Sequence, residues 1–562
     1  MAALFTRWME TPVWLALSAL SLLGLPTAAQ AQMACEQLTG MNIPASAIGL
    51  PTTGASLTYG LTVAPSGSGA AAVPEHCEVY GTIKPVDPSA PSIAFKVALP
   101  TVWNRKAILM GGGGFNGAIP NVKGNVANGA ADQPLPLARG YATFASDSGH
   151  QAVLLGAAEG YWALNDEAVQ NFIGDALKKT RDVAVEVMKA RYGQAPMRSY
   201  VIGGSTGGRE ALTSIQRWPA DWDGAVAWYP AWNDMMALVS GVRVTRALAK
   251  PGAYIPGSKR ALIQNAALER CDALDGVKDG LISNQARCNQ VFDPMTAKVA
   301  GKPLRCPGGL DTGDTCLSNP QILALRAMNA PTRLRYAVAS GETGYPGFNV
   351  WGSDLGITTR SSSTQTTVNQ LALNLTAPAT VMSPTAPFIS YFVDQAFKYM
   401  VTRDATFDTV GFDPEAPGPW VERISALSKG LDTSTDLSGF KARGGKLLMA
   451  HGHSDVLVST RATADYYQRL QKQYGVAATH AFVRYHEIAG FGHAVSSDFN
   501  ATWDALAALD AWVEQGVAPD KQITTDTVGV PGRTRPLCDH PLWPKYRGVG
   551  DVNAAASFAC VK

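Results

Sequence analysis

Ser205 lies in the frame Gly203-x-Ser205-x-Gly207, inside the stretch SYVIGGSTGGRE. The apolar residues before the serine read as the end of a β-strand, and a helix is predicted to begin directly after it. This is the pattern of a nucleophile elbow, where a sharp strand-to-helix turn raises the Ser Oγ above the sheet. Glycines are needed there because the turn demands unusual backbone angles and close backbone approach. With 55 glycines in the chain, the frame also arises by chance, so other residues must support it.

An acid and a base follow, each just after a predicted strand. Asp455 lies on the loop after residues 446–450 (KLLMA), and His493 lies in the glycine-rich loop after residues 481–485 (AFVRY). The order Ser, acid, His is that of a catalytic triad on an α/β sheet. We predict that His493 takes the Ser205 proton and that Asp455 holds the imidazole tautomer.

Each of these residues also has a simpler interpretation. Asp455 could cap a helix, and His493 could be a loop residue bonded to backbone. His451 and His453 are weaker candidates for the base because they precede the acid. Strand, order and loop context favour the triad together, although none of them decides it alone.

Four consecutive glycines, residues 111–114, follow the predicted strand of residues 105–110. A phosphate-binding P-loop would continue with Gly-Lys-Ser/Thr, which Phe115-Asn116-Gly117 does not provide. In a hydrolase this position holds the oxyanion loop, whose bare N–H groups face the substrate carbonyl. We predict the amides of Gly113 and Thr206 as the oxyanion hole, with the choice among the glycines open by one residue.

Three carboxylates lie within a short glycine-containing loop in the middle of the chain. They are Asp272, Asp275 and Asp279. Oxygen ligands of this kind suit a hard cation such as Ca²⁺, and the carbonyls of Val277 and Leu281 could complete the shell. The spacing is not that of an EF-hand, and a solvated acidic turn is the alternative. Cysteines at 271 and 288 flank the loop and favour a structural calcium site.

Predicted strands alternate with helices at both ends of the chain, which indicates a mostly parallel sheet. Between them lies a long segment rich in Pro, Gly, Ser and Thr. We predict an α/β-hydrolase core with a large inserted lid domain. The predicted boundaries are 1–31 signal peptide, 32–231 first part of the core, 232–440 lid with the calcium site, and 441–562 second part of the core.

The N-terminus has the pattern of a secretory signal. An apolar stretch over residues 12–26 is followed by Ala29-Gln30-Ala31, a signal-peptidase pattern, so the mature chain is predicted to start at Gln32. A membrane anchor is the alternative, but the apolar run is short for a span. We therefore predict an exported protein, periplasmic or secreted, without membrane attachment after cleavage. A net charge of +2 gives no electrostatic case for a nucleic-acid partner.

Eight cysteines, an even number, favour disulfides in an exported chain. Spacing alone does not fix the connectivity, but nearest-neighbour pairing leaves no cysteine over. That pairing gives Cys35–Cys77, Cys271–Cys288, Cys306–Cys316 and Cys538–Cys560.

Together, these motifs resemble the tannase/feruloyl esterase family, which includes the mono(2-hydroxyethyl) terephthalate hydrolases. The resemblance covers nearly the whole mature chain. It rests on GGGGFNG, YATFASDSGH, GGSTGGRE, CDALDGVKDGLI, HGHSD, GFGH, RPLC and ASFAC. It implies an α/β-hydrolase fold, hydrolysis of esters of aromatic acids, the triad Ser205, Asp455 and His493, and calcium ligation by Asp272, Asp275, Asp279 and the carbonyls of Val277 and Leu281.

One pair of positions departs from the family. The family usually has a cysteine just before the nucleophile and another just after the histidine, joined as a disulfide. Here these positions are Gly204 and Ala494. Both cysteines are missing together, so no orphan thiol remains. We expect the packing of two small residues to hold Ser205 against His493 instead.

The lid is expected to select the substrate. Terephthalate-monoester hydrolases resemble feruloyl esterases but hold the free carboxylate with a lid arginine. Between Arg360 and Arg403 this chain has no arginine, which favours phenolic esters. Aromatic residues are candidates for stacking on the substrate ring or for ordinary lid core: Phe348, Trp351, Phe388 and Tyr391.

The sequence therefore predicts an exported serine esterase that acts on esters of hydroxycinnamic or gallic acids through an acyl-enzyme, with a small aromatic ester as its partner. A terephthalate-monoester hydrolase with the same mechanism is the first alternative. A serine peptidase and a non-catalytic, calcium-stabilised binding protein are the others. No oligomeric state is predicted.

Overall fold

The computed structural model describes residues 32–153 and 156–562. The predicted signal peptide, residues 1–31, lies outside the described residues. Among those described, no helix combines the length and hydropathy that a membrane crossing requires.

The first part of the chain builds most of a large sheet. Its strands are β1 (Asn42–Ile43), β2 (Gly54–Val63), β3 (His76–Lys84), β4 (Ile93–Pro100), β5 (Lys106–Met110), β6 (Ala142–Ser146), β7 (Arg198–Gly204) and β8 (Gly224–Trp228). Its helices are α1 (Asp166–Gln170), α2 (Ala176–Tyr192) and α3 (Thr206–Arg217). A π-helical segment over Asn171–Asp175 joins α1 to α2. The helix predicted directly behind Ser205 is present as α3.

The segment after β8 is mainly helical and carries only two-residue strands. Its helices are α4 (Asp234–Leu248), α5 (Gly257–Cys271), α6 (Gln285–Val291), α7 (Asn319–Asn329), α8 (Ser363–Leu371), α9 (Phe388–Gln395), α10 (Val421–Leu431) and α11 (Ser438–Ala442). Its strands are β9 (Lys298–Val299), β10 (Lys302–Pro303), β11 (Thr332–Arg333) and β12 (Gly344–Tyr345). Residues of α4, α5, α7 and α9 share one hydrophobic core, so this segment packs largely on itself.

The last part of the chain returns to the large sheet. Its strands are β13 (Lys446–Gly452), β14 (Val483–Ile488), β15 (Ala501–Thr502), β16 (Ile523–Asp526), β17 (Thr534–Pro536), β18 (Trp543–Tyr546) and β19 (Phe558–Val561). Its helices are α12 (Thr460–Tyr474), α13 (Val476–His480) and α14 (Ala505–Gln515).

The large sheet has the strand order β1-β2-β3-β4-β6-β5-β7-β8-β13-β14. From β6 to β14 all neighbours are parallel, while β1 to β4, and β4 with β6, pair antiparallel. The mostly parallel sheet that we predicted therefore describes only the half that carries the candidate site. In the antiparallel half, β2 (GASLTYGLTV) mixes glycine and threonine with its apolar residues and shows no clean alternation, but the alternation of β3 (HCEVYGTIK) was a signal that could have found it.

Helices cover both faces of this sheet. Side chains alternate along β7, so that Val201 packs with α2, α3 and α12 on one face, and Tyr200 and Ile202 pack with α14 on the other. The result is a three-layer α/β-hydrolase fold, as the sequence predicted. Both β7 and β13 end at the same edge of the sheet, because parallel strands point the same way.

Four disulfides link the cysteine pairs Cys35–Cys77, Cys271–Cys288, Cys306–Cys316 and Cys538–Cys560. They follow the nearest-neighbour pairing, and no described cysteine is free. Cys35–Cys77 fastens the N-terminal segment to β3, and the other three bridges close shorter loops.

Removing the bridge with the longest loop should cost the most stability. Cys35 and Cys77 are 42 residues apart, against 10 for Cys306 and Cys316. A longer closed loop restricts the unfolded chain more, so Cys35→Ala/Cys77→Ala should lower the free energy of unfolding by about 2–4 kcal/mol. Denaturant unfolding would measure the loss. Cys306→Ala/Cys316→Ala is the control, and an equal or larger loss in that control would contradict the prediction.

Candidate active site

Ser205 stands at the carboxyl end of β7, in the turn into α3. Its backbone angles are φ 61° and ψ −123°, a conformation that costs a non-glycine residue about 1–3 kcal/mol. The Ser205 N–H donates to Trp228 O at 3.0 Å, and its carbonyl accepts the Arg209 N–H at 3.0 Å. The neighbouring strand and the new helix therefore hold the strained turn from both sides.

The two glycines of the motif allow the backbone to pack without side chains. A Cβ on Gly203 would lie 2.5 Å from the carbonyl group of Gly207, and a Cβ on Gly207 would lie 2.6 Å from Gly112 O. The Gly207 N–H donates to that same Gly112 oxygen at 3.1 Å. Strand β7, helix α3 and the glycine loop thus meet as bare backbone.

The structure brings the three predicted residues together. His493 Nε2 lies 2.9 Å from Ser205 Oγ, and His493 Nδ1 lies 2.7 Å from Asp455 Oδ2. Asp455 is fully buried, and its Oδ1 accepts the N–H groups of Leu457 and Val458 at 2.8 and 2.9 Å. These distances suit proton transfer from Ser205 to an imidazole oriented by a carboxylate.

A second histidine supports the same carboxylate. His451 Nε2 lies 3.2 Å from Asp455 Oδ2, and its Nδ1 lies 2.8 Å from Thr463 Oγ1. Because Nε2 also faces the Val458 carbonyl, it carries the proton and the Thr463 hydroxyl donates to Nδ1. Burial alone raises the pKa of Asp455, but the neighbouring His493 and His451 imidazoles outweigh burial and hold that pKa well below its usual value. His453 instead faces Glu487.

The glycine loop borders the serine, as expected for an oxyanion loop. The Gly111 N–H donates to Ile202 O, and the Gly112 N–H donates to Glu210 Oε2 at 2.9 Å. Gly113 and Thr206 both line the cavity beside Ser205. Thr206 is the first residue of α3, so its N–H has no acceptor within the helix. These positions are compatible with an oxyanion hole at Gly113 and Thr206, which stays a prediction.

Glu210 is a part of this arrangement that the sequence reasoning missed. It is buried in α3, and it accepts from Gly112 and from the side-chain amide of Asn116. Burial raises the pKa of Glu210. The carboxyl group holds the glycine loop against α3. Its only signal in the sequence was a glutamate five residues after the nucleophile, a spacing with no recognised meaning.

A cavity of about 610 Å³ opens above Ser205 and His493. Its walls come from the glycine loop and residues 120–127 on one side and from lid helices on the other. The lid residues that line it are Asp234, Ala237, Leu371, Phe388, Ile389 and Phe392, with Leu457 and Val458 from the loop after β13. Neither lysine nor arginine lines it, and Asp234 is its one acidic wall residue among those described.

The aromatic residues that we considered for ring stacking divide by position. Phe388 lines the cavity, whereas Phe348 and Trp351 are buried in the lid core and Tyr391 packs in a separate small cluster. Phe392, which we did not predict, stacks on Phe115 with ring centroids 3.8 Å apart. Helix α9 supplies both cavity phenylalanines, and no motif marked that helix in the sequence.

Arg360, the arginine at the start of the arginine-free lid segment, is bound elsewhere. Its guanidinium pairs with Asp498 at 2.9 Å and with Asp354 at 3.1 Å, and donates to Gln264. It is therefore engaged in holding lid to core and does not line the cavity.

The acidic loop has the chemistry of a calcium site in part. Asp275 Oδ2 is buried without a hydrogen-bond partner among the described residues, and burial raises the pKa of Asp275 to about 6. Burial also raises the pKa of Asp272, whose oxygens accept the N–H groups of Asp279 and Gly280. Asp279 pairs with Arg535. No group of three or more His, Cys, Asp or Glu side chains in the described ranges is arranged to hold a metal ion, so backbone carbonyls would have to share the ligation.

The position of the absent disulfide differs from our expectation. A Cβ on Gly204 would lie 2.4 Å from Tyr229 Oη, so the tyrosine ring occupies that side of the glycine. The expected packing of two small residues is therefore wrong, because a large aromatic side chain fills the space.

A sequence model described as tannase and feruloyl esterase matches residues 77–561. This chain belongs to the tannase and feruloyl esterase family. The esterase is 37% identical over 537 residues to an uncharacterized esterase of Agrobacterium fabrum, with 94% of this chain and 92% of the relative covered. It is 34% identical over 544 residues to the mono(2-hydroxyethyl) terephthalate hydrolase of Piscinibacter sakaiensis, with 88% and 86% covered.

Solved structures share the fold of the esterase. The feruloyl esterase B of Aspergillus oryzae superposes with a TM-score of 0.70 at 23% identity, over 91% of this chain and 98% of that one. The tannin acyl hydrolase of Aspergillus niger gives a TM-score of 0.65 at 19% identity, over 93% and 96%. The predicted family and fold are confirmed, and the non-catalytic binding protein is set aside because the family consists of esterases.

Asp455→Asn should lower kcat of the esterase on the order of 10⁴-fold. The N–H groups of Leu457 and Val458 require the amide oxygen at the Oδ1 position, which places the amide NH₂ against His493 Nδ1. His493 would then carry its proton on Nε2 and could not accept one from Ser205. Steady-state kinetics on p-nitrophenyl acetate would measure the effect.

Asp182→Asn is the matched control, because Asp182 is also buried and accepts a backbone N–H, from Gly49, away from the cavity. It should change stability but leave kcat within about twofold, as expected for a group that touches no reacting atom. Equal losses of kcat in both variants would count against the tautomer argument.

Proposed function

We propose that this chain is an exported serine esterase that hydrolyses esters of hydroxycinnamic or gallic acids through an acyl-enzyme. One observation carries the proposal: Ser205, His493 and Asp455 form a connected hydrogen-bonded series at the base of an apolar cavity. The resemblance to feruloyl esterases and to tannin acyl hydrolase supports hydroxycinnamic or gallic acid as the acid part of the ester.

In the first half of the reaction, Ser205 Oγ attacks the ester carbonyl while His493 Nε2 takes its proton. The charge that develops on the carbonyl oxygen is held by the N–H groups of Gly113 and Thr206. The tetrahedral intermediate then collapses, the bond to the alkoxy group breaks, and His493 returns the proton to the leaving alcohol. The acid remains bound to Ser205 as an ester.

In the second half, a water molecule takes the place of the alcohol. His493 removes one proton from the water, the resulting hydroxide attacks the acyl carbonyl, and the same N–H groups hold the second oxyanion. Collapse of this intermediate expels Ser205 Oγ, which receives the proton from His493. The products are the free acid and the unmodified serine.

The walls of the cavity favour an uncharged aromatic acyl group. Phe388, Phe392 and Leu371 offer apolar and aromatic surface for a ring. A free carboxylate on that ring would be desolvated without a cation to pair with it, which is unfavourable. This supports phenolic esters over terephthalate monoesters. The second candidate, a mono(2-hydroxyethyl) terephthalate hydrolase, is supported by the relative that is 34% identical.

We also propose that the acidic loop of the lid binds a structural calcium ion. Asp272, Asp275 and the carbonyls of Val277 and Leu281 would hold it, and Asp279 would have to share its carboxylate with Arg535. The ion would supply charge neutralisation for buried carboxylates and takes no part in the reaction. Export to the periplasm or the medium is supported by the four disulfides, which persist in oxidising compartments.

Substrate preference and the nucleophile are tested with one set of assays. Wild type, Ser205→Ala and Ser214→Ala would be assayed on methyl ferulate, methyl gallate, mono(2-hydroxyethyl) terephthalate and the methyl ester of that monoester. We expect the wild type to hydrolyse a phenolic ester and Ser205→Ala to lose at least about 10³-fold in kcat. Ser214→Ala should lose no activity, since Ser214 is a buried serine within α3, the helix that follows Ser205. The neutral terephthalate diester should exceed the monoester in kcat/KM.

Full activity of Ser205→Ala would remove the proposed nucleophile. Preference for the terephthalate monoester over both phenolic esters and over its own methyl ester would replace the proposed substrate class by the second candidate and leave the serine mechanism in place.

Calcium removal should lower the thermal stability of the enzyme. Dialysis against EGTA leaves Asp272 and Asp275 as uncompensated buried carboxylates, so Tm should fall by several degrees and recover on addition of CaCl₂ but not MgCl₂. Asp275→Asn should abolish the calcium-dependent change in Tm, measured by differential scanning calorimetry. An EGTA-treated enzyme that melts at the same temperature with and without calcium would contradict the calcium site.

A further inference from the structure

Tyr229 follows β8 directly and stands between the two catalytic loops. Its side chain is 4% exposed, and its ring centroid lies 4.9 Å from that of the His493 imidazole. The hydroxyl end of the same ring lies against Gly204, the residue before Ser205. One side chain therefore touches the chain beside the nucleophile and the base itself.

The tyrosine hydroxyl continues this contact into a hydrogen-bonded bridge. Tyr229 Oη donates to Asn128 Oδ1 at 2.9 Å. Asn128 Nδ2 donates to the carbonyls of Ala494 and Ala501, at 3.3 and 3.1 Å. The direction of each bond is fixed because the amide nitrogen can only donate and the amide oxygen can only accept. Burial and the charge of Asp455 raise the pKa of Tyr229, so the hydroxyl keeps its proton as a donor.

The backbone at both ends of the bridge is strained. Tyr229 has φ 33°, and Ala494, the residue after His493, has φ 63°. Non-glycine residues hold such angles only where the surroundings enforce them, at a cost of about 1–3 kcal/mol each. Loss of the bridge would let the Ala494 turn relax, and His493 would move with it.

Gly204 is coupled to the same tyrosine. A Cβ at that position would lie 2.4 Å from Tyr229 Oη and 2.6 Å from the ring carbon that bears it. A side chain on residue 204 would therefore force the Tyr229 ring out of its present position. The glycine at 204 leaves the space in which the Tyr229 ring packs.

We propose that Tyr229 and Asn128 are positioning residues that hold His493 Nε2 at hydrogen-bonding distance from Ser205 Oγ, in the place where a covalent link between the two loops is absent. The inference rests on the proposed serine esterase mechanism. Tyr229 Oη bonds to Asn128 and not to Ser205 or His493, so it acts through the geometry of the base and not on the reacting atoms.

The test is a double-mutant cycle with Tyr229→Phe, Asn128→Ala and the double variant. Tyr192→Phe is the matched control, since Tyr192 is also buried and its hydroxyl donates to one acceptor, Pro100 O, away from the cavity. For each variant kcat and KM on p-nitrophenyl acetate, normalised by active-site titration, would be measured together with Tm. Displacement of the base by a fraction of an ångström should lower kcat by about tenfold.

We expect kcat to fall in both single variants with KM changed less than twofold, and the double variant to be no slower than the slower single. Tyr192→Phe should lower Tm by a similar amount and leave kcat unchanged. The proposal is overturned if Tyr229→Phe loses no more kcat than Tyr192→Phe, or if the two single losses multiply in the double variant. The Ser205→Ala variant distinguishes failure of the proposed mechanism from failure of the positioning role. Full activity of Ser205→Ala would refute the mechanism. An inactive Ser205→Ala together with a wild-type kcat in Tyr229→Phe would refute only the positioning role.

Discussion

The contact of bare backbone between β7, α3 and the glycine loop is the constraint on which the site depends. Gly203, Gly207 and Gly112 approach so closely that a single Cβ would force them apart. As a result Gly113 and Thr206, the first residue of α3, both line the cavity beside Ser205. The contact also borders the strained Ser205 conformation, whose N–H and carbonyl groups are both hydrogen-bonded to neighbouring backbone.

Two buried carboxylates support the site in opposite electrostatic ways. Asp455 is surrounded by two imidazoles and two backbone N–H groups, so its ionised form is favoured and can stabilise a charged His493. Glu210 has one backbone N–H and neutral side-chain partners, and burial raises its pKa. In the proposed mechanism the Asp455 carboxylate would stabilise positive charge on His493. The Glu210 carboxyl group holds the glycine loop, which would face the negative charge on the substrate carbonyl oxygen.

The parts of the site encoded locally could be predicted from sequence, and the parts encoded by distant contacts could not. The elbow, α3 and the loops of Asp455 and His493 each depend on a few consecutive residues, and their types follow from turn and strand chemistry. Strand β2 lacked a clean alternation, whereas β3 alternates between apolar and polar residues and carried a local signal that the prediction did not use. Asn128 and Ala494 lie about 100 and 265 residues from Tyr229 in the sequence, and the three come together only in the folded protein. No local sequence pattern encodes such a contact.

The groups proposed to react and the walls proposed to bind the substrate come from different parts of the chain. In the proposed mechanism the core supplies the reacting groups, from strand ends whose positions are set by the parallel sheet. The lid supplies walls from α4, α8 and α9. Arg360, which precedes α8, pairs with Asp498 of the core. Among the described residues no lysine or arginine lines the cavity, and the nearby Arg360 of the lid is held by Asp354 and Asp498 instead.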